Sequence, residues 1–304
     1  MKNNNSKLIL ANAIIYNEEG RFLLEYLKNK NGEIEYLNFY ESRIELQNLI
    51  KDALESKFHQ EFNFEECKVE CELIRFKNSI EEVFYECFAP NLVLKNKEIL
   101  EVNGKFYALY SLAEFVGLPL SSKICENISN LLHITKKVNK NAEFDFEEAV
   151  LKYGKLRKKN ERVYYSVEIP TLLNMQLIIL IKELARFREI PVSRICLHSN
   201  DENNIHEMLM IHTQQVIVGP LKQNKSSLSY HMLSGIANIE LYNDLGERTR
   251  KIRIDSTDKL SASSVRLDAS IFRSIQTISN YSIFLEIASG PFSDNDTVWF
   301  FDRY

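Results

Sequence analysis

Histidines are the side chains here whose type and placement best suit chemistry. His198, His206, His212 and His231 all fall in the C-terminal half. Imidazole is both a common metal ligand and the usual general base near neutral pH. His206 and His212 are six residues apart and flank the start of an expected strand. His231 follows Tyr230, so on a strand the two point to opposite faces. A site built from His198 and His231 is one reading. Surface or hydrogen-bonded core histidines are the other.

Other candidates are weaker. Cys67 and Cys71 are four apart, but no Cys or His pair follows at zinc spacing, and Cys87, Cys125 and Cys196 stand singly. Reduced, mostly buried thiols are expected. The adjacent carboxylates Glu65-Glu66 and Glu81-Glu82 lie on polar segments and read as solvated. The basic run Lys152 to Arg162 reads as a solvated face, with a phosphate patch as the alternative. No glycine-rich phosphate loop, no G-x-S-x-G elbow and no H-E-x-x-H occurs.

Composition bounds the problem. At 304 residues, the chain is long enough for two domains. It is 45% hydrophobic and 26% charged, as globular proteins are, and its net charge of -4 argues against a nucleic-acid partner. The 18 Phe and 14 Tyr lack a basic stripe and read as core or interface. No apolar run reaches the roughly 20 residues of a membrane span, and Met1 to Leu10 does not resemble a signal peptide. A soluble cytoplasmic protein is expected.

The elements that must position these side chains fall into three zones. In residues 1–120, strands are expected at Leu8 to Tyr16, Arg21 to Leu27, Val69 to Phe76, Val83 to Phe88 and Lys105 to Tyr110. Apolar spacing from Ile44 to Phe58 predicts a helix, and Ser111 with Glu114 forms a capping box for a short one. Residues 121–162 read as a helical linker, with Phe144, Phe146, Val150 and Leu156 on one face. Residues 163–304 open with a helix from Leu172 to Phe187 and continue as short strands. These include Gln215 to Val218, Tyr230 to Leu233, Ile236 to Tyr242, Val265 to Leu267 and Tyr281 to Ile287, with a hairpin turn at Asn243 to Gly246. The expected fold class is α+β: a mixed α/β domain, a helical linker and a β-barrel.

From Tyr165 to Phe301 the sequence resembles the WbuC-type cupins of bacterial surface-polysaccharide gene clusters. The resemblance rests on Arg194-Ile195-Cys196-Leu197-His198, Met208-Leu209, Pro220, Leu233-Ser234-Gly235, Tyr242 to Gly246, Leu285-Glu286-Ile287 and Gly290-Pro291-Phe292. It implies a barrel whose interior holds a metal through three His and one Glu. Keeping Pro220 and Gly235 in register places Leu221, Gln223 and Leu228 at three of those positions, and Arg273 at the fourth. Leucine has no donor atom and arginine repels a cation, so no metal or other cofactor is expected. Arg273, Gln223 and Tyr230 are then expected inside the barrel. A buried Arg needs a partner, either Glu286 or an anionic ligand such as an acidic sugar or nucleotide sugar. The ligand-binding set implied is Arg194, His198, Gln223, Tyr230, His231, Arg273 and Glu286.

The first zone resembles a Nudix domain in outline. The carboxylate-rich motif of that family is reduced in Ser56 to Asn63 to Glu61 alone, with Lys57 at a metal-binding position. The two resemblances together imply a non-catalytic binding or accessory protein connected with surface-polysaccharide synthesis, with no catalytic residues and a homodimeric state. A metal-independent sugar epimerase using His231, His198 and Tyr230, or a residual nucleotide-sugar hydrolase, are the alternatives.

Overall fold

A computed structural model describes residues 8–17, 19, 21–28, 34–45, 73–74, 82–88, 100–102, 105–224, 226–291 and 293–300. Two sheets account for most of it, with few helices. The chain divides into two units, Met1–Val150 and Leu151–Tyr304.

In the first unit the opening apolar run forms β1 (Leu8–Tyr16), which turns through Asn17 into β2 (Phe22–Lys28). The Asn17 side chain holds that turn by accepting from the backbone N–H of Glu19 and Arg21. The remaining strands are β3 (Ile34–Asn38), β4 (Tyr40–Glu45), β5 (Leu73–Ile74), β6 (Glu82–Phe88), β7 (Leu100–Val102) and β8 (Lys105–Tyr110). β1 is antiparallel to β2 and β4 and parallel to β6, and β2 continues the sheet to β8 and β7. Helices α1 (Leu112–Phe115), α2 (Ser122–Val138) and α3 (Ala142–Gly154) follow. The expected capping box of α1 is made: Ser111 Oγ accepts from Glu114 N at 3.2 Å, and Glu114 Oε2 accepts from Ser111 N at 2.7 Å.

Two readings of this region change. Ile44 belongs to β4, whose cross-strand pairing with Leu8 to Ala13 overrides its helical spacing; the rest of the expected helix and Ser56 to Asn63 lie outside the described residues. The linker is not helical throughout. α3 ends at Gly154, Lys155 takes φ 49, and the basic run continues as a strand. On α3, Phe146 and Val150 are buried but Phe144 is exposed.

The second unit holds that strand, β9 (Leu156–Asn160), with β10 (Val163–Ser166), helix α4 (Met175–Phe187), β11 (Val192–Cys196) and β12 (Ile205–His212). Then come β13 (Ile217–Gln223), β14 (Leu228–Tyr242), β15 (Arg248–Asp255), β16 (Ser264–Leu267), β17 (Phe272–Ser289) and β18 (Thr297–Trp299). α4 starts later than its apolar pattern suggests, because Asn174 caps it by accepting from Leu177 N at 2.8 Å.

Segments expected as separate short strands are joined into two long ones. β14 has 15 residues and β17 has 18, and they pair antiparallel along their lengths. Their ladder shifts register near Leu233 and Ile236, where Gly235 takes φ +92. Beyond that irregularity the neighbours change. One half of β17 pairs with β12, the other with β13, so each long strand serves two parts of the sheet. Apolar residues of β14 and β17, among them Met232, Ile239, Ile275 and Phe284, form the buried core together with Ile254 of β15.

Gly235 is the constraint at the bend: its φ is positive, and a Cβ there would run into the Tyr281 carbonyl. Gly235→Ala is expected to destabilise the protein by about 1–3 kcal/mol, read as a lower urea midpoint of the intact chain.

Candidate functional site

Because strand side chains alternate between faces, the register of the second sheet dictates what meets inside it. On β12, His206, Met208, Met210 and His212 share a face; on β11, Val192, Arg194 and Cys196 do. One cross-strand row runs Tyr165, Cys196, Met208, Glu286, Tyr230. The row opens onto a cavity of about 570 Å³. β13 contributes Val218, Leu221 and Gln223; the shift at Gly219 and Pro220 lets Val218 and Leu221 share the cavity despite their odd spacing. β17 adds Arg273 and Ile275 from one half and Phe284 and Glu286 from the other, and Trp299 of β18 closes the lining.

Arg273 dominates the electrostatics. It sits beside Leu221 in the β13–β17 ladder and is 5% exposed. Its Nε–H reaches Tyr230 Oη at 3.2 Å and its Nη1 donates to the Leu221 carbonyl at 3.4 Å. The internal ion pair considered from the sequence is not made: among the described residues, the guanidinium is bonded to a phenol and a carbonyl, not to Glu286. Burial raises the Glu286 pKa, against the opposing pull of Arg273 and Arg194. Burial pushes the Tyr230 phenol to about 12, so it stays neutral.

Three further buried polar atoms of lining residues have no hydrogen-bond partner among the described residues: Arg194 Nε, Gln223 Oε1 and His212 Nε2. Leaving such groups unmatched costs roughly 1–3 kcal/mol each, so the walls around the cavity carry unspent polar capacity. His212 is fully buried, with Nδ1 2.7 Å from Thr277 Oγ1 and its ring edge-on to Phe284. Burial lowers its pKa to about 4, keeping the imidazole neutral.

At the opposite end of the lining, His198 and His206 stack with ring centroids 4.2 Å apart. Each ring is tied to backbone, His198 Nδ1 to Glu207 O at 3.1 Å and His206 Nε2 to Asp201 O at 3.0 Å. Burial, with His206 nearby, lowers the His198 pKa. The Tyr165 hydroxyl donates to Asp201 Oδ1 at 2.6 Å, and Lys159 reaches Oδ2 at 3.1 Å. Asp201 is therefore engaged, while the basic run of β9 is partly paired, Lys158 with Glu161 at 2.7 Å.

Of the residues singled out from sequence, Arg194, His198, Gln223, Tyr230, Arg273 and Glu286 line this one cavity. His231 does not. It points away from Tyr230's face, as strand alternation requires, and bonds Ser229 Oγ at 3.1 Å. Leu228 is buried in the apolar cluster with Leu267 and Ala288. Sequence reasoning weighed His212 but left it out of the ligand-binding set, and overlooked Tyr165 and Trp299; the alternation His206, Met208, Met210, His212 was the available signal for the first. The lining does not fit a divalent cation. Leu221 offers no donor, Arg273 brings a positive charge, and no group of three or more His, Cys, Asp or Glu among the described residues could hold a metal ion.

No family model and no curated protein matches the chain. Among solved structures, a mutant of Bacillus subtilis oxalate decarboxylase is similar at 21% identity and a TM-score of 0.27, over 32% of this chain and 24% of that one. The 11S globulin procruciferin of Brassica napus is similar at 12% identity and TM-score 0.25, over 29% of this chain and 21% of that one. A conserved Streptococcus pyogenes protein of unknown function is similar at 12% identity and TM-score 0.26, over 34% of this chain and 76% of that one. This chain thus spans about a quarter of the oxalate decarboxylase chain it matches. No helix among the described residues is long and apolar enough to cross a membrane.

The depressed His212 pKa has a sign. Stability from the neutral buried ring is present above the ordinary value of 6.5 and is lost as pH falls towards about 4. Denaturation of His212→Leu at a series of pH values is expected to show a flatter acid limb, the parent losing up to about 3 kcal/mol more across that window.

Proposed function

We propose that the second unit is a cupin-type barrel that binds a small acidic ligand, such as a sugar acid or nucleotide sugar, without a metal. The observation that carries this reading is Arg273, buried in the cavity that Arg194 also lines and ion-paired to no carboxylate among the described residues. Glu286, which also lines the cavity, feels the charge of both, and its raised pKa weakens it as a counter-ion. A carboxylate or phosphate would complete the guanidinium geometry bidentately and relieve the buried charge.

The role in this reading is non-catalytic: an accessory or sensing protein that holds an acidic glycan precursor, connected with surface-polysaccharide synthesis and acting as a homodimer in the cytoplasm. An epimerase would need a base and an acid facing the ring of a sugar. Of the pieces assigned to that role, His231 lies off the cavity, which leaves His198 and Tyr230 and weakens the alternative. A residual hydrolase in the first unit rests on Ser56 to Asn63, outside the described residues.

Calorimetric titration of the full chain with D-glucuronate, UDP-glucuronate, phosphate and glucose tests the reading. One or more of the anions is expected to bind and glucose is not. Arg273→Met should weaken anion binding tenfold or more, and Glu286→Gln, which removes a competing carboxylate, should strengthen it. Binding of glucose as tight as that of the acids, or anion binding indifferent to Arg273→Met, would refute it.

A further inference from the structure

Glu286 brings a negative charge into a cavity that two guanidinium groups already line. β17 sets it between its cross-strand partners, Met208 of β12 and Tyr230 of β14. Met208 has no proton to donate, and the Tyr230 hydroxyl engages Arg273 instead. Among the described residues the Glu286 side chain makes no hydrogen bond and no ion pair. Its oxygens are nevertheless not sealed into the wall, as Arg194 Nε, Gln223 Oε1 and His212 Nε2 are. They open on the cavity.

Arg273 is in the same state at its tip. Its Nε and Nη1 are spent on Tyr230 and Leu221, whereas Nη2 is neither bonded nor sealed among the described residues. The two terminal nitrogens of Arg194 are likewise unbonded and open. An acid that reaches these nitrogens therefore enters the space that Glu286 faces. Two carboxylates in one secluded site do not both stay ionised; the pair keeps a proton. The guanidinium groups hold the ligand's carboxylate as the anion, which leaves the proton to Glu286. Protonation also gives Glu286 the O–H donor that it lacks as an anion.

We propose that Glu286 takes up a proton when an acid binds and, as a carboxylic acid, donates it in a hydrogen bond to the ligand's carboxylate. The ligand is then gripped from two sides, by Arg273 Nη2 on one and by Glu286 on the other. This inference rests on the acid-binding reading above and adds a pH dependence to it. Burial raises the Glu286 pKa even without ligand, which favours the same protonation state. Affinity is then full below that raised pKa and falls as pH rises through it, by at most about tenfold per pH unit for one proton. The other titratable or charged groups around the cavity are Tyr165 on β10, Arg194 and Cys196 on β11, His206 and His212 on β12, Tyr230 on β14 and Arg273 on β17, with His198 and Asp201 from the β11–β12 connection. Of these, His198 and His206 are the groups that could also gain a proton near neutral pH, so the test must separate them from Glu286.

Calorimetry of the full chain with D-glucuronate, in two buffers of different ionisation enthalpy and at about pH 5 and about pH 8, counts the protons. The parent is expected to take up a proton on binding and to bind more weakly at the higher pH. Glu286→Gln, whose amide is a permanent donor, should bind with no uptake and little pH dependence. Glu286→Leu, which removes the repulsion but has no donor, should bind about tenfold more weakly than Glu286→Gln. Uptake that persists in Glu286→Gln would place the proton on a histidine and overturn the proposal. Equal affinities of the Gln and Leu variants would overturn the donor role. Arg273-dependent binding without uptake in the parent would sink the proposal and leave the acid-binding reading standing. Absence of binding to parent and Glu286→Gln at both pH values would count against that reading itself, and the proposal would fall with it.

Discussion

The side chain of Arg273 leaves one half of β17, gives its Nε–H to Tyr230 on β14 and ends with Nη1 against the Leu221 carbonyl on β13. A guanidinium with 5% exposure is costly to desolvate, and protein oxygens meet only part of its hydrogen-bonding capacity here. Most of what distinguishes the second unit follows from accommodating it. Tyr230 must stay a neutral phenol to accept from Nε, and burial keeps it so. Glu286 supplies charge compensation at a distance, and its own burial limits how much.

The cavity exists because two strands are long and bent. β14 and β17 stay paired through a double register shift, and Gly235 absorbs the backbone turn that an L-residue resists. Without the bend, Arg273 and Glu286 would lie along one strand at a distance set by their sequence separation. With it, they face the same space. The shift at Gly219 and Pro220 does the same for β13, bringing Leu221 and Gln223 into phase with Val218. Local irregularities in ladders thus convert a flat alternation of side chains into a lined, polar pocket.

How much of this was readable depended on whether the deciding interaction was local. Strand ends such as Leu8 and Tyr16, the Ser111–Glu114 cap and the Asn243 to Gly246 turn follow from short-range chemistry and were legible. The opposition of Tyr230 and His231 followed from alternation alone. Arg273, Gln223 and Glu286 were placed together only by a resemblance of sequence, and the structure lines one cavity with them. The burial of His212 could not, because it depends on which strand β12 meets. Ile44 was misread for the same reason, since pairing with Ile9 outweighs a helical apolar spacing. The basic run misled because Gly154 and the left-handed Lys155 stop a helix that its neighbours would have continued.

The most direct test of the account is the state of the guanidinium groups themselves. Proton–nitrogen spectra of the arginine Nε–H groups, with Arg194 and Arg273 assigned by their Lys variants, would be followed as D-glucuronate is added to the full chain. The account predicts that both signals move together and saturate at a common ligand concentration. Calorimetric binding of D-glucuronate with both signals stationary would contradict it, because the acid would then be held elsewhere.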